Sequence, residues 1–216
     1  MGLGRMEDQK QATKERLLDS AEELFAERGF SGTSLRAVTD AAGANIAAVN
    51  YHFGSKEGLL RAVVGRAMSK VNELRARLLD DLEASTPVPD VESVVSAFVS
   101  AGLDLTRSHG HRSERIARFV GRVIFDPSPQ MRELFAEEVD EVEDRYRVAL
   151  IRALPELSAD EVSFRYQAMV GLLGMRQSGA LADRYPASEV EPWLITLLIA
   201  ALRAPATRSL SDRPTR

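Results

Sequence analysis

Apolar residues recur at helical spacing along nearly the whole chain, and no stretch alternates in the manner of a half-buried strand. Leu17, Leu18, Ala21, Leu24 and Phe25 form one stripe with Glu22, Glu23 and Glu27 outside it, which predicts a first helix over about 13–28. Gly29 stops that helix and Phe30 packs back on it. Thr33 and Ser34 offer a hydroxyl cap to a second helix running through Ala42, Gly43 makes a tight turn, and Asn45 caps a short third helix over 46–52. Phe53-Gly54 ends the third helix, and Ser55 caps a long fourth one reaching about Glu83.

Pro87 and Pro89 break the pattern, and Asp90 caps a fifth helix to about Arg107. The polar segment from Ser108 to His111 reads as a loop. Ser113 opens a sixth helix whose apolar face is Ile116, Phe119, Val120, Val123 and Ile124. A seventh spans about 130–153, an eighth starts at the capping box Ser158–Glu161 and reaches about Ala182, and a ninth runs from Ser188 to about Arg203. The expectation is an all-α protein of about nine helices. Residues 1–60 would form a three-helix N-terminal domain, residues 61–204 a larger helical domain, and residues 205–216, polar with two prolines, a disordered tail.

Composition narrows the classes without naming one. Hydrophobic residues make up 44% and charged residues 28%, enough to bury a real core. The absence of cysteine excludes disulfide frameworks, thiol nucleophiles and cysteine zinc sites, and agrees with a cytoplasmic location. The first residues carry charge where a signal peptide needs an apolar stretch. The longest apolar run, Trp193 to Leu202, has about half of the roughly 20 residues a membrane span requires. Net charge is −4, and residues 1–60 hold 7 Lys and Arg against 9 Asp and Glu, so no basic domain advertises nucleic acid. Within 31–56 the balance is Arg36 and Lys56 against Asp40.

The informative segment is 31–59, SGTSLRAVTDAAGANIAAVNYHFGSKEGL. Two short helices joined by a glycine-containing turn make a helix-turn-helix, whose second helix enters the major groove. Leu35, Val38, Ala42, Ile46, Val49 and Phe53 are expected inward. Asn45, Ala47, Ala48, Asn50 and Tyr51 are then left on or near the outer surface of the third helix. Asparagine can pair with adenine, and alanine methyls can meet thymine methyls. Thr33, Ser34 and Asn45 also have a plainer reading as caps, and His52 beside Phe53 reads best as a histidine packed between the first and third helices. Lys56 at a helix start does not help that helix, so a phosphate contact accounts for it better.

The order Gly29-Phe30, Thr33-Ser34, Ala42-Gly43, His52-Phe53, Ser55-Lys56-Glu57 and Leu59-Leu60, over about residues 10–60, resembles the signature of the TetR family of transcriptional regulators. The resemblance implies that Thr33, Tyr51 and Lys56 contact phosphates and that the third helix reads bases. The DNA-binding set is accordingly Thr33, Ser34, Asn45, Ala47, Ala48, Asn50, Tyr51, His52 and Lys56. The sequence departs from the family's common pattern at Ile46 and Asn50, so the base-reading code does not carry over.

Beyond residue 60 there is no recognised catalytic constellation, and the expectation is no enzyme, no cofactor and no metal. A helical enzyme using His52 or His109 is the rival reading; His109, His111 and Glu114 are the candidate metal ligands, with a solvated loop the plainer alternative. Aromatic and methionine side chains on several helices suggest a mostly apolar pocket, with Phe98, Phe119, Val123, Phe135, Tyr146, Tyr166 and Met169 as candidate lining. Arg115, Arg118 and Arg122 form a basic stripe open to an anionic ligand group, with Glu133, Glu137 and Glu141 on the next helix the favoured partners. The eighth and ninth helices are apolar on more sides than one core needs, marking Gly171, Gly174, Met175, Leu194, Leu197 and Leu198 as a dimer face. The implied partners are a palindromic operator, a second copy of the chain and an unknown hydrophobic or amphipathic ligand that releases a repressor from DNA. A DNA-binding regulator without an inducer is the remaining alternative.

Overall fold

Ser34, Asn45, Ser55, Asp90 and Ser158 each accept a backbone N–H three residues ahead, at 3.1, 2.9, 3.1, 2.7 and 3.2 Å, and each opens a helix. The computed structural model describes residues 2–107, 111–125, 129–179 and 185–207. For residues 2–6, 105–107, 111–114, 129–132, 135, 138–140, 187 and 188 the backbone alone is described. The described residues form nine helices: α1 Gly2–Arg28, α2 Leu35–Ala42, α3 Ile46–Phe53, α4 Lys56–Ser85, α5 Val91–Arg107, α6 His111–Ile124, α7 Pro129–Ala153, α8 Ala159–Gln177 and α9 Ala187–Leu202.

Four boundaries differ from expectation. The first helix starts eleven residues earlier than about 13, because Gln9, Lys10, Gln11 and Ala12 are good helix formers and nothing upstream of Thr13 breaks the helix. The eighth ends at Gln177, where Gly179 takes a φ of 85°. The ninth is preceded by Pro186 with no side-chain cap, so Ser188 does not open it. His111 lies in α6 rather than in a loop.

Two apolar clusters organise the chain. The first joins Leu17, Ala21 and Phe25 of α1, Val38 of α2, Val49 of α3 and the Leu59–Val71 face of α4 with Phe119, Val120 and Val123 of α6. The second joins Leu79 of α4 with Phe98 of α5, Tyr146 and Leu150 of α7, Tyr166 and Met169 of α8, and Leu194, Leu198 and Leu202 of α9. α4 therefore runs through both cores, and α6, expected to serve the larger domain alone, closes the first.

Polar ties follow the same lines. Arg66 of α4 reaches Asp19 at 2.9 Å and Glu22 at 2.6 Å on α1, and Glu22 is only 2% exposed. Arg115 pairs with Glu23 at 3.3 Å, and Arg122 donates to the Glu27 carbonyl at 3.1 Å. Arg115 and Arg122 thus engage α1, whereas Glu137 of α7 pairs with Arg61 of α4. For Arg115, Arg122 and Glu137 the expected α6–α7 pairing is therefore replaced by partners on α1 and α4.

Candidate nucleic-acid interface

α2 and α3 are eight residues each, and the turn between them depends on Gly43, whose φ of 59° is left-handed and whose N–H bonds back to the Asp40 carbonyl. Val38, Ala42 and Val49 hold the pair on α1 and α4, all three at 4% exposure or less. Arg16 of α1 fixes the end of α2 by donating to the Ala42 carbonyl at 3.0 Å. The outward face of α3 is then set by rotation about its axis. Asn45, Ala47, Asn50 and Tyr51 are exposed and Ala48 is half-buried, as expected for a reading surface. Tyr51 is 68% exposed, and Lys10 lies 5.5 Å from its ring centroid.

Ile46, expected inward, is 47% exposed. It occupies the first turn of α3 and joins the outer surface. Thr33 is also corrected. It is 2% exposed, and its hydroxyl donates within the α1–α2 turn, with the carbonyls of Gly29 at 2.8 Å and Leu24 at 3.1 Å in reach. A side chain so enclosed cannot reach a phosphate; it locks the turn.

Ser34 and Asn45 are exposed and cap α2 and α3 through their oxygens. Their caps leave the Asn45 amide N–H groups free to point outward. His52 is half-buried, edge-on to Tyr51 at 4.9 Å and 5.9 Å from Phe53. Lys56 is half-buried as well; its ammonium donates to the Phe30 carbonyl at 2.7 Å and lies 4.1 Å from the Phe30 ring centroid. Burial lowers its pKa below the usual lysine range, partly opposed by Glu57. Lys56 thus ties the α1–α2 turn to the start of α4, with two further N–H donors on the same ammonium.

A concavity of about 480 Å³ lies between α1 and α3, lined by Gln9, Lys10, Thr13, Asn45, Tyr51 and His52 among others. Gln9 and Lys10 were missed in the sequence because the first helix was expected to start after them. The unbroken run of helix formers before Thr13 was the available signal.

The other predicted residues separate into groups. Phe98, Tyr146, Tyr166 and Met169 share the second core, but Phe119 and Val123 belong to the first, where Phe119 stacks on Phe25 at 6.4 Å. The candidate lining residues are thus divided between the two cores. The side chain of Phe135, like His109 and the side chains of His111 and Glu114, lies outside the described residues. On the expected dimer face, Met175 and Leu197 are exposed at 38% and 55% and Gly171 faces open space. Leu194 and Leu198 are instead core residues at 6% and 2%. Gly174 lies against α6, where a Cβ would stand 3.2 Å from Ile124. These three serve packing within the chain, since the inner stripe of α9 and this side of α8 are already covered.

A three-helix module with an exposed, capped second helix of a helix-turn-helix, carried on a larger helical body, defines the class of protein. Residues 17–63 match the model of bacterial regulatory proteins of the tetR family, and residues 96–202 match a tetracyclin repressor-like C-terminal domain. The chain belongs to the TetR family. It is 29% identical over 127 residues to the "Probable HTH-type transcriptional regulator YttP" of Bacillus subtilis, covering 59% of this chain and 58% of that protein. It is 39% identical over 75 residues to the HTH-type transcriptional repressor KstR2 of Rhodococcus jostii, covering 33% and 37%. The chain thus aligns with less than two thirds of the length of these curated relatives. The transcriptional regulator FadR of Bacillus subtilis, solved in complex with stearoyl-CoA, shares the fold, with a TM-score of 0.65 at 15% identity over 86% of this chain and 97% of that one.

Proposed function

We propose that the chain is a homodimeric, operator-binding repressor, released from DNA by a small hydrophobic or amphipathic molecule. The observation that carries the reading is the outward face of α3: Ala47, Asn50 and Tyr51 stand exposed on a helix fixed from behind by Val49 and capped by Asn45. Such a face offers amide donors and acceptors and apolar methyls at the spacing base edges require. Lys10, Arg36 and the remaining Lys56 donors supply phosphate contacts at its margins, so a chain of net charge −4 still presents local cations where DNA would lie. DNA recognition is assigned to Ser34, Asn45, Ala47, Ala48, Asn50, Tyr51, His52 and Lys56, with Gln9 and Lys10 added.

The second copy is read from α8 and α9. Phe164 at 71%, Ala168, Gly171 and Met175 make one outer stripe, and Trp193 at 52%, Leu197 and Ala200 make the neighbouring one. A continuous apolar surface of this kind is the usual mark of an interface, and a two-fold dimer presents two reading helices to a palindrome. The larger body, residues 61–204, is assigned ligand sensing and dimerisation, and residues 1–60 DNA binding. The chain works by binding rather than catalysis. No helix of the described residues is long and apolar enough to cross a membrane.

A ligand reaches the DNA site through α6 and α4. α6 is tied to α1 by the Phe119–Phe25 stack and by Arg115 and Arg122. A ligand that favours one placement of α6 shifts the spacing of the two reading helices, which is a population shift between two states. Relatives offer precedent for both halves, a repressor in name and a neighbour carrying an acyl-CoA. Selection of DNA fragments retained by the purified protein tests the reading: recovery of one inverted-repeat sequence is expected, and retention without sequence preference would refute it.

A further inference from the structure

Arg75 is the least expected residue of the interior. It stands on α4 between the two cores, is 4% exposed, and holds its guanidinium carbon 3.7 Å from the centroid of Phe98. Its Nε is buried and meets no hydrogen-bond acceptor. Burial lowers its pKa, yet a guanidinium stays protonated in a protein, so a positive charge is kept in an apolar centre. Buried charges are normally paired at contact. Among the described residues no ion pair at contact joins Arg75, and Glu143, half-buried on α7, acts on it electrostatically from the lining of the same cavity. The Tyr166 hydroxyl, also buried and without a partner, belongs to a ring 5.5 Å from the same Phe98.

The space beside this cation is built. A cavity of about 10 Å³, the room of one water molecule, is lined by Arg75 and Glu143 together with Val71, Val120, Leu173 and Gln177 among others. Gln177 donates to the Gly102 carbonyl at 2.9 Å. Gly102 keeps the guanidinium's flank open, since a Cβ there would stand 2.6 Å from Leu173 Cδ2 and 3.4 Å from Arg75 Nη2. Val120 and Ile124 of α6 form one wall, and the neighbouring Phe119 carries α6 onto Phe25 of α1. Widening the cavity therefore displaces the helix that touches the DNA-binding module.

We propose that Arg75 anchors the carboxylate of a small amphipathic acid, whose apolar part enters between α4, α6 and α8 among Val71, Val120 and Leu173. The proposal rests on the ligand-released repressor described above and names the chemistry of its ligand. A carboxylate can accept parallel N–H donors from the guanidinium and bring a countercharge to hydrogen-bond contact, which Glu143 does not, where the surroundings screen little. A neutral molecule of the same shape fills the space and leaves the charge uncompensated.

The test uses the full chain with decanoate and phenylbutyrate, each against the alcohol and primary amide of the same carbon skeleton. Binding is read by titration and by the shift in melting temperature, and function by release from selected DNA. The acids are expected to bind at least about tenfold tighter than their neutral partners, the effect of a charged hydrogen-bonded pair. R75M should abolish that advantage while raising the melting temperature of the free protein, because an unpaired buried charge is removed. R75Q, which keeps donors without the charge, serves if methionine packs poorly and should also lose the preference. Equal binding of acids and neutral analogues, an acid preference that survives R75M and R75Q, or no acid binding at all overturns the anchor. Release of DNA by the alcohols with no acid preference would overturn the anchor alone and leave the ligand-released repressor standing. DNA binding that no probe affects would remove both.

Discussion

The two cores of this chain keep different polar accounts. Around the first, the cations are held by carboxylates or carbonyls: Arg66 by Asp19 and Glu22, Arg115 by Glu23 and Lys56 by Phe30, although the Nε atoms of Arg66 and Arg115 are themselves buried without a partner. Around the second, Arg75 Nε and the Tyr166 hydroxyl are buried without a partner, and the Tyr146 hydroxyl, pushed up to about 12 by burial, reaches only the Arg75 carbonyl at 2.9 Å. A cation already held by carboxylates fixes one geometry, whereas a buried one with no ion pair at contact has something to gain from a ligand. The contrast fits a rigid reading head on an adjustable sensor, joined by α4 and α6.

The largest expected effect separates inner from outer stripes of α9. Leu198→Glu buries an unpaired charge in the second core at a cost of about 4 kcal/mol or more, and should unfold the domain. Leu197→Glu, one residue away but 55% exposed, should stay folded, melt lower only by the stabilisation that association gives, and sediment as a monomer. Equal behaviour of the two variants would dissolve the assigned dimer face.

Next comes the junction. Phe119→Ala removes a buried ring from between α6 and α1, at about 3–5 kcal/mol by the usual cost of such truncations. Thermal unfolding should show that loss, and DNA affinity should fall with it. Unchanged DNA binding in a folded variant would mean α6 does not couple to the reading head.

At the surface, Asn50→Ala and Tyr51→Ala should leave stability unaltered, since both side chains are exposed. Each should cost about 1–3 kcal/mol of discrimination between operator and unrelated DNA where a bidentate base contact is lost, measured by competition binding. The smallest effect is on a cap. Asp90 is held below the usual carboxylate range, chiefly by the Ser93 backbone N–H. Because its folded pKa is lowered, the stability it contributes is present above the unfolded value and is lost as pH falls through the folded one. Asp90→Ala should cost about 1 kcal/mol near neutrality, and the gap to the unaltered chain should close in acid.

What could be read in advance follows the same division between regions. Helix existence and most caps were legible, because Ser34, Asn45, Ser55, Asp90 and Ser158 announce a start by local chemistry alone. So was the outer face of α3 apart from Ile46, because an eight-residue helix anchored by Val49 leaves little choice of rotation. Long-range partners were not legible. That α6 would turn Phe119 and its arginines toward α1, that Leu194 and Leu198 would face inward while Trp193 and Leu197 face out, and that Arg75 would end inside all depend on how helices dock. Apolar periodicity marks a stripe but does not say which neighbour covers it. The start of α1 was missed for another reason: Gln9 and Lys10 form helix readily but carry no boundary signal.

The central claim is a dimer reading two half-sites with its third helices. Titrating the purified protein into a selected inverted-repeat duplex, with mass measured in solution, tests it most directly. A saturated complex of two chains per duplex is expected, lost when either half-site is scrambled, formed by a protein that is dimeric before DNA is added. A single chain bound per duplex, or an affinity indifferent to the second half-site, would contradict it.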